Sequence, residues 1–169
     1  MNKILQLLLL ATLCSSCIDE QAISSISPVN WETRKAGAVI LDSLEHGMTY
    51  LSVYSQIYSQ TEHTTHNLTA TVSMRNTSLK DTVYLSQAAY YDTQGTFLRS
   101  YFDGTIFIAP METVEIVIDE IDKDGGTGAN FIFDWHIRYK AHEPIFEAVM
   151  ISTSGQQGLS FSTQGKRVE

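Results

Sequence analysis

Basic side chains are scarce in this 169-residue sequence, in which 11 Lys and Arg residues stand against 19 Asp and Glu residues and the formal net charge is −8. Nucleic-acid binding depends on clustered Lys and Arg side chains that neutralise phosphates. The charge balance therefore predicts a protein that binds no nucleic acid. Hydrophobic residues make up 43% of the chain and charged residues 18%, which is typical of a folded protein and excludes a disordered one.

Cysteines and long apolar runs are also scarce. Cys14 and Cys17 are the two cysteines, and both lie near the N-terminus, so that no disulfide can form within the rest of the chain. One apolar run covers residues 4–13 and is interrupted by Gln6 and Thr12. It is too short for a membrane-spanning helix, which needs about 20 residues. No second long apolar run follows it.

Complete catalytic motifs are missing as well. The sequence has no Gly-x-Ser-x-Gly elbow, and its Gly-rich stretch at residues 125–128 lacks the Lys-Ser/Thr ending of a phosphate-binding loop. We therefore predict that the chain is not an enzyme, and we expect no catalytic residue, no cofactor and no metal site.

The N-terminus has the features of an export signal. Lys3 precedes the apolar run 4–13, and the small residues Ser15 and Ser16 lead to Cys17. This order is typical of a signal peptide, and it resembles a bacterial lipoprotein signal, in which a lipid-modified Cys follows a small residue. We expect removal of residues 1–16 and lipid attachment to Cys17. Ordinary secretion, with cleavage at the same point and no lipid, is the alternative.

The lipid on Cys17 would be the attachment of this chain to a bacterial membrane, and we expect an exported protein on the periplasmic or surface side of the outer membrane. Residues 17–46 are interpreted as a lipid-anchored linker, and residues 47–169 as one domain. Within the linker, residues 30–45 fit either a short helix or a first strand. His46 and Gly47 are interpreted as a chain break.

Apolar and polar side chains alternate in several segments, which is the pattern of half-buried β-strands. The predicted inward-facing residues are Leu68, Ala70, Val72 and Met74, then Val114, Ile116 and Ile118, and then Phe131, Phe133, Trp135, Ile137 and Tyr139. Turn signals, such as those at residues 92–95 and 109–110, recur about every 8–12 residues. The pattern predicts an all-β protein with a single antiparallel, immunoglobulin-like β-sandwich.

Five stretches of this domain resemble a known family. They are residues 67–77 (NLTATVSMRNT), 90–95 (YYDTQG), 125–131 (GGTGANF), 143–151 (EPIFEAVMI) and 155–161 (GQQGLSF). Through them the chain is similar to domain-of-unknown-function family 3124 from about residue 47 to residue 165. The resemblance implies a bacterial exported protein with a single domain. It implies no catalytic residues.

The acidic, Gly-rich residues 119–130 form the main candidate site. The candidate ligand or partner residues are Asp122, Asp124, Gly125, Gly126, Gly128, Asn130, Gln156 and Gln157. An EF-hand is excluded, because Phe131 stands where the bidentate Glu belongs. A wide turn with solvated charges, an irregular Ca²⁺ site, and a ligand or partner contact stay open. Loops gather at one end of many sandwiches, so we expect residues 119–130, 143–151 and 155–161 to form one binding surface.

Two function classes follow. The first is a non-catalytic module that binds an unknown envelope protein or ligand. The alternative is a metal-assisted envelope hydrolase, which would use residues 119–130 together with His136 or His142. Convergence of Asp122, Asp124 and one of these histidines in a pocket would favour the hydrolase.

The remaining histidines and the tyrosines are weaker candidates. We predict a solvated loop for His63 and His66, and a charged outer strand face for Asp134, His136 and Arg138, on which His136 could otherwise transfer protons. Five tyrosines fit either a patch for a glycan or partner, or aromatic core packing: Tyr50, Tyr54, Tyr58, Tyr84 and Tyr90.

Overall fold

The described part of the chain is built almost entirely of β-strands. A computed structural model describes residues 29–39, 41–153 and 158–169, and Cys17, Gln156 and Gln157 lie outside these residues. Two short 3₁₀ helices, Trp31–Arg34 and Leu41–Ser43, precede twelve strands. The strands are β1 (Glu45–Ser52), β2 (Gln56–Ser59), β3 (Thr61–Asn67), β4 (Thr69–Arg75), β5 (Val83–Tyr91), β6 (Phe97–Ser100), β7 (Ile106–Ile108), β8 (Thr113–Ile118), β9 (Asn130–Ile137), β10 (Ile145–Ser152), β11 (Leu159–Gln164) and β12 (Lys166–Arg167). Neither described helix has the length and apolar character needed to cross a bilayer.

The strands form two main antiparallel sheets. The six-stranded sheet has the order β12-β1-β9-β5-β6, and β7 pairs with β5 beside β6. The four-stranded sheet has the order β11-β10-β4-β8, and β2 and β3 form a separate hairpin. The pairings within these sheets are antiparallel. The predicted antiparallel β-sandwich is therefore confirmed.

The core consists of the alternating side chains on the inner faces of the two sheets. The predicted inward-facing residues of β4 and β8 are buried, and so are those of β9 as far as Ile137. Phe133 of β9 stacks across the core on Phe146 of β10, with 4.3 Å between the ring centroids. Burial of apolar surface contributes about 25 cal/mol per Å², so these side chains supply the main free energy that joins the sheets.

His46 and Gly47 lie inside β1, and the predicted chain break at these residues is wrong. Gly47 pairs with Trp135 of β9. The indole ring covers Gly47 so closely that a Cβ atom on residue 47 would overlap it. The glycine is thus required by the close approach of a side chain, not by a turn. The indole Nε1 donates a hydrogen bond of 2.9 Å to Thr49 Oγ1.

Two further expectations differ from the structure. Tyr139 was expected to face inward but is 71% exposed, because β9 ends at Ile137 and a turn follows, in which the Ala141 N–H donates to the Arg138 carbonyl oxygen. His63 was expected, with His66, in a loop. Both lie in the exposed strand β3, which pairs with β2.

A bulge in β5 shapes the outer face of the six-stranded sheet. Leu85 and Ala88 are both buried, and the register with β9 shifts between Leu85 and Gln87. The extra residue places both Ser86 and Gln87 toward the outside. On the other edge of β5, β7 pairs with residues 83–85 and β6 with residues 89–91. A gap is left between β6 and β7 beside the bulge.

Replacing Trp135 with Ala is expected to lower the free energy of unfolding by about 3–5 kcal/mol, because the side chain is fully buried and its removal leaves a cavity. Arg138→Ala removes a side chain that is 78% exposed and should change the free energy by less than about 0.5 kcal/mol. Urea unfolding of both variants measures the difference. Similar losses for the two variants would contradict the assignment of faces on β9.

Candidate functional site

A buried ion pair holds the acidic loop in place. Asp122 is only 4% exposed and accepts a hydrogen bond from the Arg99 guanidinium. The guanidinium lies over the rings of Tyr90 and Tyr101, 5.1 Å and 5.5 Å from their centroids, and burial raises the pKa of both tyrosines. The expectation of a solvated charge is wrong for Asp122, because its carboxylate neutralises a cation beneath the loop. Asp124 is exposed, as expected.

The first two glycines of the loop fit closely against neighbouring segments. A Cβ atom on Gly125 would collide with the Tyr90 hydroxyl and would lie 2.8 Å from Ser55 Oγ. Gly126 has a φ of 70°, in the region that favours glycine. Its carbonyl oxygen accepts hydrogen bonds from the N–H groups of Ser55 and Gln56, at 3.1 Å and 3.0 Å. The loop is therefore tied to the segment between β1 and β2.

The other candidate residues of the loop also make structural contacts. Thr93 Oγ1 accepts a hydrogen bond of 2.9 Å from the Gly128 N–H and donates one of 3.0 Å to the Gly125 carbonyl oxygen. Asn130 begins β9 and pairs with Ser52 of β1. The Asp122 carboxylate, the carbonyl oxygens of Gly125 and Gly126 and the Gly128 N–H thus have partners within the protein. Ligand binding by this loop stays a prediction.

The strand register places the start of the acidic loop at one end of the four-stranded sheet. Ala70 of β4 lies opposite Ile118, and the adjacent Thr69 lies opposite Ile151. The loop thus leaves β8 at the end of the sheet where β10 also ends. Residues 145–151 and 159–161 of the expected binding surface lie in strands β10 and β11, and a single binding surface made of the three stretches stays a prediction. The two glutamines predicted in the β10–β11 connection lie outside the described residues.

A second candidate region is an open groove on the outer face of the six-stranded sheet, beside the β5 bulge. Its volume is about 620 Å³. Its lining residues are Ser86, Gln87, Ser100, Tyr101, Phe102, Asp103, Gly104 and Asp134. The bulge contributes two of these polar side chains, and the gap between β6 and β7 contributes most of the others. We call this region the bulge groove.

The segment before β1 supports one wall of the bulge groove. The Trp31 ring packs against Phe102, with 5.2 Å between the ring centroids. Further along this segment, the Ala36 N–H donates a hydrogen bond of 2.8 Å to the Thr105 carbonyl oxygen. These two contacts hold the segment that precedes β1 against the residues between β6 and β7.

Two histidines and one aspartate converge at the edge of the bulge groove. The register of β1 and β9 places His46 opposite His136, with ring centroids 5.0 Å apart. Asp134 lies two residues earlier on β9, and its Oδ1 is 3.0 Å from His46 Nε2 and 3.4 Å from His136 Nε2. Ser86 Oγ donates a hydrogen bond of 2.7 Å to the same oxygen. We call His46, Asp134 and His136 the histidine–aspartate cluster.

The histidine–aspartate cluster has the geometry of a metal-binding group, since one ligand atom from each side chain lies within 4.8 Å of the others. Burial lowers the pKa of His136, although the Asp134 carboxylate opposes this effect. Metal ions bind the neutral form of an imidazole, and a lowered pKa favours that form. Among the described residues, neither Asp122 nor Asp124 belongs to such a group.

Ser86, His136 and Asp134 do not have the geometry of a catalytic triad. In a triad the imidazole lies between the hydroxyl and the acid, and it bonds to each through a different nitrogen. Here Ser86 Oγ donates directly to the Asp134 carboxylate, and it lies 3.4 Å from the same His136 nitrogen that faces that carboxylate. The other nitrogen, His136 Nδ1, is buried without a hydrogen-bond partner among the described residues. This arrangement does not place His136 between Ser86 and Asp134 as a triad requires.

The sequence pattern correctly places Asp134 and His136 on the outer face of β9, but it misses His46 and Ser86 as their neighbours. Cross-strand register and a bulge bring these residues together, and no local pattern signals either. Of the two alternatives for the five tyrosines, a patch that includes all of them does not form. Tyr90 is fully buried and hydrogen-bonded to Ser55, as core packing predicts.

The fold and the groove define a β-sandwich domain with a polar groove on one sheet. Over residues 46–168 the chain matches the family described as "Protein of unknown function (DUF3124)", and it belongs to that family. No curated protein matches the chain. A solved structure described as "Crystal Structure of Thermotoga maritima 1070" is similar with a TM-score of 0.45 and 7% identity, over 71% of this chain and 92% of that chain.

Replacing Asp122 with Asn is expected to lower the free energy of unfolding by about 2 kcal/mol, because Arg99 loses its counter-charge while it stays largely buried. The matched control is Asp124→Asn, the same change at an exposed carboxylate of the same loop, with an expected effect below about 0.5 kcal/mol. Chemical unfolding of both variants is the measurement. Equal stability of the two variants would show that the ion pair does not hold the loop.

Proposed function

We propose that the chain is a lipid-anchored protein of the bacterial cell envelope that binds a polar ligand or a partner protein and catalyses no reaction. The bulge groove carries this proposal, because hydroxyl, amide and carboxylate side chains dominate its lining. Two of these are carboxylates: Asp103, which is exposed and can accept hydrogen bonds, and Asp134, whose Oδ1 already accepts one from Ser86 Oγ. The ligand chemistry that fits best is therefore a donor-rich or positively charged group.

The contacts of the acidic loop favour the bulge groove over the loop as the binding region. The Asp122 carboxylate is engaged by Arg99, and the loop carbonyls of Gly125 and Gly126 accept hydrogen bonds from within the protein. A ligand at the loop would have to replace these bonds. The groove, by contrast, is open to solvent, and its Gln87 side chain is exposed.

Two observations support a binding role without catalysis. Ser86 and His136 share one carboxylate oxygen and do not form a triad. The metal-assisted hydrolase that would use residues 119–130 has less support, because Asp122 is neutralised by Arg99 and lies outside the metal-binding group of the described residues.

Export and anchoring are proposed from the N-terminal sequence, in which the small residue Ser16 precedes Cys17. Replacing Cys17 with Ser is expected to abolish acylation and to move the protein from the membrane fraction to the soluble fraction, because lipid anchoring depends on burial of the acyl chains. Metabolic labelling with a fatty acid and fractionation of the cells measure both effects. Cys14→Ser is the matched control and should stay labelled and membrane-bound. Membrane retention of an unlabelled Cys17→Ser protein would contradict the proposed anchor.

Replacing Gln87 with Arg should block ligand binding, because the longer side chain would occupy part of the bulge groove. Gln94→Arg is the matched control, since Gln94 is exposed in the turn between β5 and β6. Both variants and the unchanged protein would be used to capture components of detergent-solubilised envelopes. We expect a component that is captured by the unchanged protein and by Gln94→Arg but not by Gln87→Arg. Identical capture by all three would contradict binding in the groove.

A further inference from the structure

We propose that the histidine–aspartate cluster binds one divalent transition-metal ion of the zinc type through His46, Asp134 and His136. Two imidazole nitrogens and one carboxylate oxygen form a ligand set that zinc uses in proteins, and three protein ligands leave a further position open. The proposal goes beyond the proposed function and does not require the bulge groove to bind a ligand.

The distances within the cluster are close to those that a tetrahedral ion needs. Ligand atoms at roughly 2.0–2.1 Å from zinc lie about 3.3 Å from one another. Asp134 Oδ1 lies 3.0 Å from His46 Nε2 and 3.4 Å from His136 Nε2. The widest separation is at most 4.8 Å. His46 is the exposed member of the cluster, so its ring has room to turn toward the other two ligands.

The backbone holds two of the three ligands in place before any metal binds. Asp134 and His136 lie on one face of β9, the strand that pairs with both β1 and β5. Ser86 Oγ donates a hydrogen bond to the Asp134 carboxylate and thereby orients it. Outer contacts of this kind position metal ligands and raise affinity.

One feature limits the affinity that we expect. A metal on His136 Nε2 leaves the ring proton on Nδ1, and this buried atom has no acceptor among the described residues. Ligating histidines usually donate that proton to a partner, and loss of such a partner weakens metal binding by about 10–100-fold. We therefore infer a reversible site, with an exchangeable metal, and not a permanent structural one. Because Asp134 also lines the bulge groove, the ion would lie at the edge of that groove.

The competing account is that Asp134 only accepts hydrogen bonds from its neighbours. Isothermal titration calorimetry with Zn²⁺ separates the two accounts. The protein is the full-length chain in which Cys14 and Cys17 are both replaced with Ser, because their thiols would compete for the metal. We expect one Zn²⁺ per chain. His46→Ala removes the exposed ligand and should weaken Zn²⁺ binding by at least about tenfold. Loss of a residue that only hydrogen-bonds to a metal ligand already weakens metal binding by about that factor, and loss of a ligand itself should cost more. Asp134→Asn should weaken it similarly.

The matched control is the double variant His63→Ala and His66→Ala, which removes two exposed histidines from β3 and should leave Zn²⁺ binding unchanged. Thermal unfolding without metal shows whether each variant folds. If Asp134→Asn does not fold, His46→Ala decides, because that side chain is exposed. With Co²⁺ in place of Zn²⁺, intense visible absorption that is lost in His46→Ala would support coordination by the cluster.

Absence of Zn²⁺ binding in the parent chain would overturn the proposal, as would equal binding in the parent and His46→Ala. Loss of binding in the His63→Ala and His66→Ala control would also overturn it. Gln87→Arg separates this test from that of the proposed function. Retained Zn²⁺ binding by this variant, with loss of the captured envelope component, would support both proposals. Zn²⁺ binding by the parent chain, with identical capture by the unchanged protein, Gln87→Arg and Gln94→Arg, would support the metal site and contradict the groove.

Discussion

The contact between the Trp135 indole and Gly47 determines how β1 pairs with β9. The ring covers the glycine and donates a hydrogen bond to Thr49, two residues along β1. A shift of one residue would place a side chain beneath the indole and would turn every inward residue of β1 outward. The same register sets His46 opposite His136. A buried packing contact on one face of the sheet therefore determines the polar cluster on the other face.

The β5 bulge has a comparable effect on the opposite side of β9. A regular strand would alternate Leu85 and Ala88 to different faces, whereas the bulge keeps both in the core. The displaced residues, Ser86 and Gln87, become neighbours on the outer face. Ser86 orients Asp134 through a hydrogen bond, and both Ser86 and Gln87 line the bulge groove. The polar surface thus arises from a bulge that keeps the core residues of β5 buried. The position of this surface is set by the strands of the sheet and not by a flexible loop.

Much of the fold is predictable from the sequence, because alternation is a local property of each strand. The inward faces of β4, β8 and β9 follow from it directly, as does the turn after β5. The candidate site is less predictable. In the sequence, Gly47 has the appearance of a turn residue, but in the structure it is required because the Trp135 ring covers it. Asp122 has the appearance of a solvated acid, but in the structure it is buried and paired with Arg99. Both depend on contacts between distant segments, which a single sequence does not encode in any local pattern.

The packing of Trp31 on Phe102 has a consequence for the distance over which the bulge groove can act. Cys17 precedes Trp31 by 14 residues, and a fully extended chain covers at most about 3.3–3.6 Å per residue, or about 50 Å here. With a lipid on Cys17, this wall of the groove stays within that radius of the bilayer. Tethering then raises the effective concentration of any target on the same membrane surface. Molecules that stay farther from the membrane would not be reached, so the proposed anchor would select by distance among the ligands of the proposed groove.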